Sequence, residues 1–120
     1  MKDTAATLLG QTTVDFHFPN MAAEGPMGVD FKRSVFLAFK EIITNIARHA
    51  AATRVEISLA LLNGRFEMVI RDNGKGFDMN LPHRGNGLQS IQKRAHHIGG
   101  SCEIVSAPGN GTTVKFWGKM

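Results

Sequence analysis

Apolar residues in this chain of 120 follow two rhythms, one alternating and one helical. In TTVDFHF, Val14, Phe16 and Phe18 share one side of an extended segment, which predicts a short strand. PNMAAEGPMG, residues 19–28, holds two prolines and two glycines and reads as irregular. From there Phe31, Val35, Phe39, Ile42, Ile43, Ile46 and Ala50 recur at helical spacing, predicting one long amphipathic helix with Asp30 as its cap. Alternation returns in RVEISLALL (Val55, Ile57, Leu59, Leu61) and in RFEMVIR (Phe66, Met68, Ile70), joined by Asn63-Gly64, a tight-turn signal between antiparallel strands. GLQSIQKRAHHI predicts a second helix through Leu88, Ile91, Ala95 and Ile98, stopped by Gly99-Gly100. SCEIVSAPGNGTTVKFW closes the chain as a hairpin turning at Pro108 to Gly111. The expected class is α+β: two layers, with helices on one face of a mixed, mainly antiparallel sheet.

Length and composition keep the picture simple. A chain of 120 residues suits one domain with a real core, and its 42% hydrophobic and 20% charged residues are ordinary for a globular protein. No apolar run approaches the roughly 18 residues of a membrane span, and the N-terminus does not resemble a secretion signal, so no direct membrane contact and a cytoplasmic location are expected. Cys102 is the single cysteine and sits in an alternating segment, where a buried thiol is expected. A net charge of +4 points to an anionic partner. Lysine and arginine never cluster beyond the pairs Lys32-Arg33 and Lys93-Arg94, which argues against nucleic acid and for a small phosphate ligand. His96 and His97 have no neighbouring ligand types to make a metal site, His17 alternates away from its strand's apolar side, and Trp117 reads as strand-end packing.

Three polar features can carry chemistry. On the first helix, at about 100° per residue, Glu41, Asn45 and Arg48 fall within roughly 60° of one another, opposite Ile43, Ile46 and Ala50, with Thr44 and His49 flanking them. Such a stripe is ordinarily a solvated face, yet a carboxylate and an amide one turn apart can also activate water and ligate Mg²⁺, which prefers oxygen donors. In RDNGKGFD, Asp72 stands where a strand ends, and Gly74 and Gly76 follow. Asp-Asn-Gly is good turn chemistry, but a carboxylate there can also accept from an exocyclic amine while glycines admit a flat ring. A calcium loop would need regular acidic ligands and a distal glutamate that are missing. In RGNGLQS, Gly85 and Gly87 run into the second helix, the geometry of an anion site. A dinucleotide fingerprint would need a strand immediately before and a third glycine where Ser90 stands, and a P-loop would need Gly-Lys-Ser/Thr.

Taken in order, KEIITNIARHA, RDNGKGF, GNGL and GNGTTVKF closely resemble the nucleotide-binding boxes shared by gyrase, Hsp90, histidine kinases and MutL, the Bergerat-fold ATP-binding superfamily, over about residues 36–117. KEIITNIARHAAATRVEISL and the short lid MNLPHRGN (79–86) look most like the catalytic domain of bacterial sensor histidine kinases, particularly those that signal to response regulators of the NarL type. The resemblance implies ATP and Mg²⁺ as cofactors, with Asn45 as the metal ligand and Glu41 as a catalytic polar or general-base residue near the γ-phosphate. It implies that Arg48 and His49 border the phosphates, that Asp72 binds the adenine amino group above Gly74 and Gly76, and that Thr112 assists through its hydroxyl or a bridging water. Gly85 and Gly87, in the GNGL box that ends with Leu88, become lid hinges, and Arg84 can meet the γ-phosphate when the lid closes.

Kinases of this kind phosphorylate a histidine on a separate helical dimerisation region, where an acidic residue usually follows the acceptor. None of the five histidines here has that neighbour, so the acceptor is expected on dimerisation helices outside the chain, with a response regulator downstream. Exposed Met79 and Leu81 of the lid are candidate docking contacts for those helices. Two other readings stay open: an anti-sigma-type regulator that phosphorylates serine on an antagonist, and a nucleotide-dependent binding module without catalysis.

Overall fold

The computed structural model describes residue 10 and residues 12–17, 28–62, 64–76 and 87–119. Five strands form one sheet: β1 (Thr13–His17), β2 (Arg54–Leu62), β3 (Arg65–Asp72), β4 (Ser101–Ser106) and β5 (Thr112–Lys119). Their spatial order is β1-β2-β3-β5-β4. Only β1 pairs in parallel, on β2 with Thr13 opposite Arg54; the other pairings are antiparallel. Helices α1 (Val29–Asn45) and α2 (Gly87–His97) cover one face. The expected architecture is therefore the one observed, with the last strand inserted between β3 and β4.

Alternation decides which side of each strand is covered. Val55, Ile57 and Leu59 of β2, Phe66, Met68 and Ile70 of β3, and Val114 and Phe116 of β5 are buried, as are Phe39, Ile42 and Ile43 of α1 and Ile91 and Ala95 of α2. Each large apolar side chain buried there contributes about 1.5–3 kcal/mol. Phe31 adds an edge-on contact with Phe66, ring centres 6.0 Å apart. Cys102 is buried as expected, and burial together with Glu103 pushes its thiol up to about 11, leaving it protonated and unreactive at neutral pH. The outer face is charged, with Glu67 between Arg65 and Lys115, and Arg65 stacked 5.0 Å above Trp117. His17, His96 and His97 are exposed.

Two local expectations need correcting. Gly28, not Asp30, is the cap residue of α1; the Lys32 N–H donates to the Gly28 carbonyl (3.1 Å), and Asp30 lies inside the first turn, where its charge faces the helix dipole instead of capping it. Nor is the first helix α-helical to its end: after Asn45 the backbone widens into a π-helical turn, Ile46–Ala50, closed by Ala51 in the left-handed region at φ 50°. Phe18, most of the irregular segment 19–28, Asn63 and the lid 79–86 lie outside the described residues. Among the described residues, no helix is long and apolar enough to cross a membrane.

Candidate functional site

Asp72 is the last residue of β3 and, by alternation from Ile70, points into the helical layer; it is only 4% exposed. A carboxyl left there without partners would cost several kcal/mol. It is held instead by backbone donors: the Gly74 N–H reaches Oδ1 at 2.8 Å, and the backbone N–H of Thr112, its register partner on β5, also bonds it. Burial raises its pKa above the ordinary 3.8, and the two N–H bonds oppose that rise.

The loop after Asp72 is fastened on three sides. The Lys75 N–H donates to the Ala50 carbonyl at 2.8 Å, tying the loop to the π-helical turn. Asn73 ties it to the start of β2: its Oδ1 accepts the Thr53 and Arg54 N–H groups at 2.9 Å each, and its Nδ2 donates to Thr53 Oγ1 at 2.9 Å. The Lys75 carbonyl accepts the Gly109 N–H of the β4–β5 turn at 2.6 Å. Two glycines are required by this fit. A Cβ on Gly74 would overlap the Ala50 carbonyl, and one on Gly76, at φ 62°, would overlap the Ala107 carbonyl. Thr112 is half-buried, its hydroxyl 2.8 Å from Ser106 Oγ, which also donates to the Gly111 carbonyl at 3.1 Å.

Glu41 and Asn45 are half-buried one turn apart on α1. The π-helical turn that continues α1 ends at Ala50, whose carbonyl accepts the Lys75 N–H, so α1 and the loop after Asp72 are joined through the backbone. Arg48 is exposed and lies in the π-helical turn, so the α-helical angle that puts it in one stripe with Glu41 and Asn45 does not apply beyond Asn45. His49 belongs to the same turn. Gly87 opens α2, with Leu88 next. Arg84 and Gly85 lie outside the described residues. Asn73 and the π-helical turn are the parts that pattern reading missed. An Asn beside a strand end signals side-chain-to-backbone bonding, but ARHAAATR gives no sign of a widened turn, since no glycine marks its left-handed residue.

A buried carboxylate at the end of β3 and oxygen donors on α1 are side chains that could hold an exocyclic amine and a hard cation. Residues 32–120 match the histidine kinase-, DNA gyrase B-, and HSP90-like ATPase family, and the chain belongs to it. It is homologous to bacterial sensor histidine kinases: 35% identical over 82 residues to the sensor histidine kinase LiaS of Bacillus subtilis, covering 68% of this chain and 23% of that protein. The signal transduction histidine-protein kinase/phosphatase DegS of Brevibacillus brevis is 31% identical over 102 residues, covering 84% of this chain and 26% of that one. The chain thus spans about a quarter of these relatives' length. A histidine kinase domain from a blue-light activated histidine kinase of Erythrobacter litoralis has the same fold, with a TM-score of 0.79 at 16% identity, covering 96% of this chain and 57% of that one.

Proposed function

We propose that residues 1–120 form a single Mg·ATP-binding domain acting as the catalytic part of a two-component sensor histidine kinase, of the group that signals to NarL-type response regulators. In this reading the γ-phosphate passes to a histidine on dimerisation helices outside the described chain. The observation that carries it is Asp72: a buried carboxylate at a strand end, bonded by backbone N–H groups, in a loop whose two glycines let the Ala50 and Ala107 carbonyls pack against it. Its acceptor character suits the 6-amino group of adenine, whereas guanine presents a carbonyl there. Thr112 sits beside it. Asn45 would hold Mg²⁺, which supplies charge neutralisation to the phosphates, and Glu41 would take the proton of the incoming nucleophile. Arg48, His49, Arg84, Gly85, Gly87 and Leu88 complete the phosphate side and its lid. The relatives' names support the kinase reading, and the separate acceptor follows from the absence of an acidic neighbour after any histidine.

Calorimetry tests the nucleotide assignment: ATP should bind at least about tenfold more tightly than GTP, and equal affinities would refute it. Asn45→Ala should shrink the magnesium-dependent part of ATP affinity and leave metal-free binding nearly unchanged. With γ-labelled ATP, the chain alone should stay unlabelled, and matching dimerisation helices added in trans should acquire acid-labile phosphate. Label on the chain itself, lost in His49→Ala, would overturn the separate acceptor.

A further inference from the structure

The two dibasic pairs, far apart in sequence, meet in space away from the Asp72 loop. Between the first half of α1 and α2 lies an open groove of about 530 Å³. Arg33, Lys93, Arg94 and the imidazole of His97 line it, with the hydroxyls of Ser34 and Ser90 between them and Leu37 as the apolar wall. Asp30 is the one carboxylate in the lining, and among the described residues no ion pair links it to these cations. Three permanent positive charges therefore face one negative charge, and every other polar group present can donate a hydrogen bond.

Basic residues near the end of α2 complement its dipole, but this does not account for Arg33 on the other helix. Nor does it account for Arg94, whose Nε is buried and has no hydrogen-bond partner, alone in this among the described residues. A buried guanidinium N–H left unpaired is costly, and because Arg94 also lines the groove, an oxyanion there would complement the charge of that guanidinium. The volume lies in the range of small-molecule sites, larger than one inorganic ion needs. On α1 the lining runs from Asp30 to Leu37, one turn short of Glu41, and on α2 it reaches Ser90, one turn past Gly87, so the groove adjoins the phosphate side of the proposed nucleotide site but contains none of the residues assigned to it.

We infer that the α1–α2 groove is a second ligand site, for a small molecule carrying two or more phosphate or carboxylate groups, anchored on Arg94 with Arg33 and Lys93 as flanking charges. Amide NMR of the chain titrated with pyrophosphate, and separately with citrate, tests it. Saturable shifts are expected at residues 30–37 and 90–97, with affinity falling at least about tenfold in both Arg94→Gln and the exposed-site variant Lys93→Gln. The amides of residues 72–76 should keep their wild-type positions in both variants. Shifts that never saturate, or that match in wild type and variants, mean an adventitious ion only and overturn the site. A glutamate-rich helical peptide that saturates the groove while pyrophosphate and citrate do not would overturn the small-ligand assignment in favour of a protein contact.

Discussion

The two ends of the helical layer hold charge in opposite ways. At the Asp72 end, one buried carboxylate is fixed by backbone N–H groups, and the loop beyond it is bonded to α1, β2 and the β4–β5 turn. At the groove end, several cations on two helices face one another, with no ion pair and one guanidinium nitrogen lacking a partner among the described residues. The first end is shaped by backbone, which adjusts little and so, in the proposed reading, would tell one ring from another. The second is shaped by long side chains, which adjust and so recognise charge more than outline.

Substitutions can break that contrast, beginning where the backbone is tightest. Gly76→Ala forces a left-handed residue to carry a Cβ into the Ala107 carbonyl and should cost about 2–4 kcal/mol, read from urea unfolding. A loss below about 1 kcal/mol would mean that the loop gives way, and the picture of a fixed frame would fail. Asp72→Asn should separate binding from stability: ATP affinity falls at least about tenfold, while the folded state at neutral pH gains. The direction follows from the raised pKa. The folded protein holds this proton more tightly than the unfolded chain, so as pH rises from the ordinary 3.8 through the native value the unfolded form ionises first and stability drops. Below 3.8 both forms are protonated and the advantage of Asn disappears, so unfolding curves at neutral and acid pH should converge only at acid pH. Asn73→Ala removes three side-chain hydrogen bonds at an exposed position and should cost about 1–2 kcal/mol. At the other end, Lys93→Gln should change stability by less than about 0.5 kcal/mol, since among the described residues its charge makes no ion pair. A larger loss would show that the groove's cations are structural after all.

Much of the frame was legible because its signals are local. Alternation in β2, β3 and β5 follows from covering one face of a sheet, and it already put Asp72 at a strand end; that it lies on the covered side is what the structure adds. Helical spacing in α1 likewise separated Phe39, Ile42 and Ile43 from Glu41 and Asn45. What stayed hidden depends on neighbours distant in sequence. The π-helical turn ends where Lys75 takes the Ala50 carbonyl, and nothing in residues 46–51 announces that bond. The bonds of Asn73 require β2 beside it, and the groove exists only once Arg33 and Arg94 are neighbours. The Asp30 cap failed for a smaller reason: the helix starts earlier, with Gly28, which has no side chain to cap with, in the cap position.

The position of β5 governs how this molecule can be made. It is the last strand in the chain yet an inner strand of the sheet, and β4 waits at the edge for it. A ribosome delivering the chain from its N-terminus therefore exposes the flank of β3 and the whole of β4 until residues 112–119 emerge. Thr112, the first residue of that strand, brings the second N–H to Asp72, so the carboxylate has its full set of donors only when synthesis of the sheet is nearly finished. Nucleotide affinity should consequently switch on abruptly as nascent chains lengthen past β5, making ATP binding a late reporter of completed folding.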